Sequence, residues 1–120
     1  MKKKLLPLLI FNFLFQFSIA QVGEWTWMKG DSTFAGFAVF GTLGVPDPAN
    51  HPGSLYEPCE WTDQQGNLWM YGGIGPSGVM CDLWKYDVTS NQWTWVKGSG
   101  AANTLPVYGV QGVSAPANTP

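Results

Sequence analysis

The segment Trp25-Thr26-Trp27-Met28-Lys29-Gly30 returns as Trp93-Thr94-Trp95-Val96-Lys97-Gly98, an offset of 68 residues. The same offset carries Val39 and Gly41 onto Val107 and Gly109, and Gly44-Val45 onto Gly112-Val113. It also carries Pro48-Ala49-Asn50-His51-Pro52 onto Pro116-Ala117-Asn118-Thr119-Pro120. Over 24–52 against 92–120, 13 of 29 positions are identical without a gap. A fixed period of this length is the signature of a repeat architecture in which each unit supplies one supersecondary element.

Between the two copies the chain reads as short strands and tight turns. Leu55–Thr62 is the first expected strand, weakened in its middle by Glu57-Pro58. Asp63-Gln64-Gln65-Gly66 is a turn, with glycine where positive φ is needed. Asn67–Tyr71 is a second strand, rich in aromatics and ended by Gly72-Gly73. Gly75–Gly78 is a loop, Asp82–Asp87 a third strand and Thr89-Ser90-Asn91 a turn. Gln92–Lys97 is the fourth strand, where Trp93 and Trp95 alternate with Thr94 and Val96. No stretch after residue 20 keeps a helical period. Four short antiparallel strands in tandem repetition predict an all-β chain built from propeller-type blades.

Gly72-Gly73, Tyr86 and Trp93, in that order and with six residues between the last two, resemble the kelch motif. The resemblance spans residues 24–120 and is to the secreted, bacterial, galactose-oxidase-like branch of kelch β-propellers. It implies a four-stranded blade over 53–98, preceded by a long inter-blade loop at 31–52. It implies further that 21–30 is a strand of a neighbouring or ring-closing blade, and that 99–120 begins the next inter-blade loop. The first strand departs from the family pattern: Pro52-Gly53 is followed by Ser54-Leu55 in place of an arginine. Propellers need several blades, so the chain reads as the N-terminal part of a longer protein, partnered by further blades. A short chain that self-assembles into a ring is the alternative.

The first 20 residues read as an address. Lys2, Lys3 and Lys4 form a positive segment, Leu5–Phe17 an apolar one, and Ser18-Ile19-Ala20 a small-residue cleavage site before Gln21. This is the pattern of a secretory signal peptide. The apolar run is shorter than a membrane span and is interrupted by Pro7, Asn12 and Gln16. The expectation is a secreted, periplasmic or cell-surface protein with no membrane attachment after cleavage. The 120 residues contain 15 Gly, 9 Pro and 7 Trp, but no Arg. Beyond residue 20 there are 3 Lys against 8 acidic residues. Such a chain lacks the cations that neutralise phosphates, so no nucleic-acid partner is expected.

The remaining motifs have plain structural readings. Gly73-Ile74-Gly75-Pro76-Ser77-Gly78 matches a dinucleotide fingerprint, but Val79–Trp84 continues as strand where a helix would have to open. Cys59 and Cys81 make an even pair in an exported chain. In a meander, however, two strand spacings separate them, beyond the Cα reach of a disulfide; the other reading is two small buried thiols. His51 is the only histidine and lacks the clustered ligands of a metal site. Ser54 belongs to no triad motif, and Glu57 and Glu60 flank Pro58-Cys59 as edge charges rather than as a glycosidase pair. The strand tryptophans read as packing between blades before they read as sugar platforms. Phe34, Phe37 and Phe40 are candidates to fold over one sheet face.

In a meander the 31–52, 74–81 and 99–120 segments fall at one end of the blade, and binding tends to be carried by such loops. The expected function is therefore a non-catalytic exported module that binds a protein or glycan, with Ile74, Pro76, Ser77 and Val79 as the candidate ligand-face loop. No cofactor, metal or catalytic residue is assigned. The alternative is part of a carbohydrate-active, galactose-oxidase-like enzyme whose catalytic residues lie in other blades. Residues 21–120 alone are expected to associate, because one sheet cannot bury both of its faces.

Overall fold

The computed structural model describes Gly23 and residues 25–119. The expected leader and its cleavage site lie outside the described residues. Six strands form: β1 (Cys59–Thr62), β2 (Leu68–Tyr71), β3 (Ile74–Gly75), β4 (Gly78–Val79), β5 (Leu83–Asp87) and β6 (Gln92–Lys97). β1, β2, β5 and β6 make one antiparallel sheet in chain order, and β3–β4 is a two-stranded hairpin inserted between β2 and β5.

The turns are set by side chains that accept backbone hydrogen bonds. At the β1–β2 turn the Asp63 carboxylate accepts from the backbone N–H of Gln65 (3.0 Å) and Asn67 (2.9 Å). It also accepts from the indole N–H of Trp69 at 2.8 Å. At the β5–β6 turn Asp87 accepts from the backbone of Thr89 and Ser90, both at 2.9 Å. Asn91 takes positive φ there and accepts the Tyr86 hydroxyl at 2.7 Å. These are local bonds of the kind that make Asp and Asn turn residues.

Opposed residues of an antiparallel pair share a face, and the register sorts the sheet into two. Met70 lies opposite Trp84, which lies opposite Trp95; Leu68 lies opposite Tyr86, which lies opposite Trp93. On this face Trp84 and Tyr86 are the buried apolar core. Phe40 reaches over it from the 31–52 segment, 5.3 Å from the Trp84 ring and 4.9 Å from the Trp95 ring. Phe34 and Phe37 do not join it; both are exposed. The opposite face carries Trp61 against Trp69 and Trp69 against Lys85. The two indoles stack at 5.9 Å, and the Lys85 ammonium sits 5.8 Å from the Trp69 ring centre.

Several expectations change. The first strand is shorter than Leu55–Thr62, because Glu57 adopts φ 51° and breaks the pleat; of residues 55–58, Tyr56 keeps a pairing, bridged to Ile74. The 74–81 loop contains the β3–β4 hairpin. Of the strand expected over 21–30, the described residues 25–30 join no sheet. Cys59 is opposite Tyr71, and Cys59 and Cys81 are unpaired, but they are not the buried thiols expected: Cys59 is exposed and Cys81 half-buried.

Candidate functional site

The three long segments meet at one end of the sheet. They enclose a cavity of about 220 Å³ whose walls include Phe37 and Phe40 from the first, Pro76 and Ser77 from the second, and Gly100 and Ala101 from the third. No ionisable side chain lines it, and Ser77 brings the only side-chain hydroxyl. Next to it, sharing Leu55, Gly75 and Pro76, is a wider cleft of about 440 Å³ with Phe34, Tyr56 and Ile74 on its walls. Phe34, Tyr56 and Ile74 are exposed.

Local geometry explains why the chain builds this end. Gly72 and Gly73 both take positive φ, 68° and 100°, where β2 turns into the hairpin. A side chain on Gly73 would press on the Tyr56 carbonyl at 3.1 Å and on the Pro58 backbone at 3.3 Å. The pair thus lets β3 pass close under the segment before β1, and Ile74 exchanges two backbone hydrogen bonds of 2.9 Å with Tyr56. Gly72 N–H and Met80 N–H close the hairpin base on Asp82 and Gly73 carbonyls. Asn103 then clamps the hairpin from the third segment. Its backbone N–H donates to the Val79 carbonyl at 2.7 Å and its side-chain oxygen accepts from Val79 N–H at 3.1 Å.

Asp82 fixes the departure of that third segment. Its side chain is buried and accepts from Gly100 N–H (2.8 Å) and the Trp95 indole (3.2 Å). Burial pushes its carboxyl above the ordinary range, against the pull of those two donors.

Of the four loop residues singled out from sequence, Pro76 and Ser77 line the cavity, Ile74 lines the open cleft, and Pro76 lines both. Val79 lies opposite Ile74 in the hairpin and is held by Asn103. Gly72, Gly73, Tyr86 and Trp93 act structurally: two bend the chain and two pack, with Trp93 5.1 Å from Tyr86 and 6.4 Å from Trp84. Asn103 and Asp82 were not singled out. Asn103 has no partner in the repeat that would flag it, since its counterpart is Ala35.

Comparison with family models, curated proteins and solved structures finds no match. The site must be read from its own chemistry. Among the described residues no three His, Cys, Asp or Glu side chains converge as a metal site would require. His51 is held through its backbone, in a two-way bridge with Val39. Glu57 sits in the left-handed turn and Glu60 within β1. Among the described residues no helix is long and apolar enough to cross a membrane. The arrangement offers rings, aliphatic surface and backbone amides, with no charged side chain on its walls.

Proposed function

We propose that this chain is a blade unit of an exported kelch-type β-propeller and that it binds a protein or glycan, without catalysis, through its long-loop face. The observation that carries the reading is the charge-free cavity bounded by all three long segments, with the ring-walled cleft beside it. The cleft's aromatic and aliphatic walls suit the apolar face of a sugar ring or an apolar peptide side chain, and the cavity beside it adds backbone polar atoms for orientation. Rigid support from the sheet and the Asn103 clamp favours binding by a largely formed surface. The kelch reading is supported by the roles of Gly72, Gly73, Tyr86 and Trp93 as bend and packing residues of a four-stranded meander. Export rests on the leader pattern, and an exported form whose mass begins at Gln21 is the expected outcome.

The test is direct binding of the purified protein to an immobilised panel of oligosaccharides and of apolar peptides. Pro76→Asp and Ser77→Trp, which place charge or bulk in the cavity without touching the sheet, are the comparison variants. Retention of one ligand class by the native protein and its loss in both variants is expected. Binding of neither class, or binding indifferent to both substitutions, overturns the reading.

A further inference from the structure

The duplicated segments fold alike but are partnered differently. In the first copy Val39 bridges His51, Asn50 N–H donates to the Asp47 carbonyl at 3.1 Å, and the Asn50 amide donates to the Val45 carbonyl at 3.1 Å. In the second, Val107 bridges Thr119, Asn118 N–H donates to the Ala115 carbonyl at 3.0 Å, and the Asn118 amide donates to Val113 at 3.1 Å. Lys29 donates to the Pro48 carbonyl as Lys97 does to that of Pro116. Every one of these bonds repeats at the 68-residue offset.

The first loop does one thing more: it grips β6. Gly44 N–H donates to the Trp95 carbonyl at 2.7 Å, and Asp47 N–H to the Trp93 carbonyl at 3.4 Å. The Asn50 amide donates its other hydrogen to Trp93 at 3.1 Å, and Phe40 packs on Trp95. Asn50 is 1% exposed in consequence. The corresponding groups of the second loop are Gly112 N–H, Ala115 N–H, the second hydrogen of the Asn118 amide, and the ring of Tyr108. Among the described residues none of the three donors finds an acceptor of this kind, and Tyr108 is 78% exposed.

At the other end of the chain the described part of the counterpart of β6 is also exposed. Trp25-Thr26-Trp27 matches Trp93-Thr94-Trp95, yet Trp25 is 98% and Trp27 66% exposed. β6 itself shows that one Trp-x-Trp-x-Lys segment accommodates both contacts at once: its tryptophan carbonyls hold the 44–50 loop while Lys97 holds Pro116. Among the described residues, Trp25–Lys29 makes the lysine contact, to Pro48, and not the carbonyl contacts.

We infer that the 108–118 loop of one copy docks on the Trp25–Trp27 segment of a second copy, giving head-to-tail association. Gly112 N–H donates to the Trp27 carbonyl, Ala115 N–H and the Asn118 amide donate to the Trp25 carbonyl, and Tyr108 covers the Trp27 ring as Phe40 covers Trp95. The contact is heterologous, so each copy carries one loop and one segment and the association propagates or closes into a ring. This inference stands on the internal duplication and does not depend on the ligand reading above.

The test uses two variants of the purified protein, each spoiled at one end. Tyr108→Lys with Asn118→Leu disables the loop; Trp25→Glu with Trp27→Glu disables the segment. All but Asn118 are exposed, and near-UV circular dichroism checks that the sheet is retained; Tyr108→Lys alone replaces the loop variant if Asn118→Leu disturbs it. By sedimentation velocity, the native protein is expected to grow in size with concentration. Each variant alone loses this growth, its self-association weakened about tenfold or more. An equimolar mixture gives a one-to-one dimer, because an intact loop meets an intact segment. A monomeric native protein, variants that associate as the native one does, or a mixture that forms no dimer overturns the inference.

Discussion

The two faces of the four-stranded sheet are both rich in tryptophan, yet they solve the problem of large rings in opposite ways. On one face Trp84 and Tyr86 are buried under a ring borrowed from far along the chain, Phe40, with Trp93 and Trp95 closing the sides. On the other, Trp61 and Trp69 cover each other, and Trp69 is further furnished with a carboxylate for its N–H and an ammonium near its face. The first face is a core that depends on tertiary contact. The second is made of neighbours in the sheet and stays tolerable to water because its rings have polar partners, as amphipathic aromatics allow. Burial, not residue type, therefore decides which tryptophans hold the fold.

Substitutions can break that contrast. Trp84→Ala removes the largest fully buried side chain and is expected to cost about 3–5 kcal/mol, read as a loss of the urea unfolding midpoint or of folding altogether. Phe40→Ala uncovers the same face without touching the sheet; because Phe40 is only half-buried, about 1–2 kcal/mol is expected, a fraction of the full-burial value, with Trp84 becoming accessible to acrylamide quenching. Equal effects from Trp61→Ala would erase the distinction between the faces.

On the solvated face the effects are smaller and depend on pH. The Asp63 carboxyl is lowered from 3.8 to about 2, first by the Trp69 indole N–H and then by the Asn67 amide. A carboxylate whose folded pKa lies below its unfolded one contributes stability above the unfolded value and loses it as pH falls through the folded value. Asp63→Asn is thus expected to lower Tm at pH 7, with the gap to the native protein closing between pH 3.8 and about 2; a gap independent of pH would assign the effect to the turn alone. Trp61→Ala is the mildest change, below about 1 kcal/mol for the loss of one exposed stacked ring, measured by thermal unfolding.

Much of this was legible in the sequence, for reasons that can be named. β6 runs over Gln92–Lys97 as its alternation predicts, and the turns at Asp63 and Asp87 follow from local side-chain chemistry. The end of the sheet where the three long segments gather follows from meander connectivity. The β3–β4 hairpin was hidden because two-residue strands are too short for any period to register. The early break before β1 was hidden because Glu57 in a left-handed conformation has no composition signal, although the neighbouring Pro58 marked the weakness. Phe40, Phe34 and Phe37 were indistinguishable candidates, since the choice among them depends on how the loop closes. Asp82 and Asn103 act across 18 and 24 residues respectively, distances over which no local pattern speaks. The repeat exposed the recurrence of Asn50 as Asn118, but only coordinates reveal that each ties its own loop together.

That each loop closes on itself also bears on the order of assembly. The bridges Val39 to His51 and Val107 to Thr119 join residues close in sequence, and the second forms without the β6-type grip that buries the first. Loops on the order of ten residues close in about 10–100 ns, whereas hairpins take microseconds. The 39–51 loop and the β5–β6 hairpin are both local closures, whereas the grip of Asn50 on Trp93 spans 43 residues. Folding of the unit then becomes the docking of two locally closed pieces, loop on hairpin, and that long-range contact is the one whose chain-closure cost is greatest.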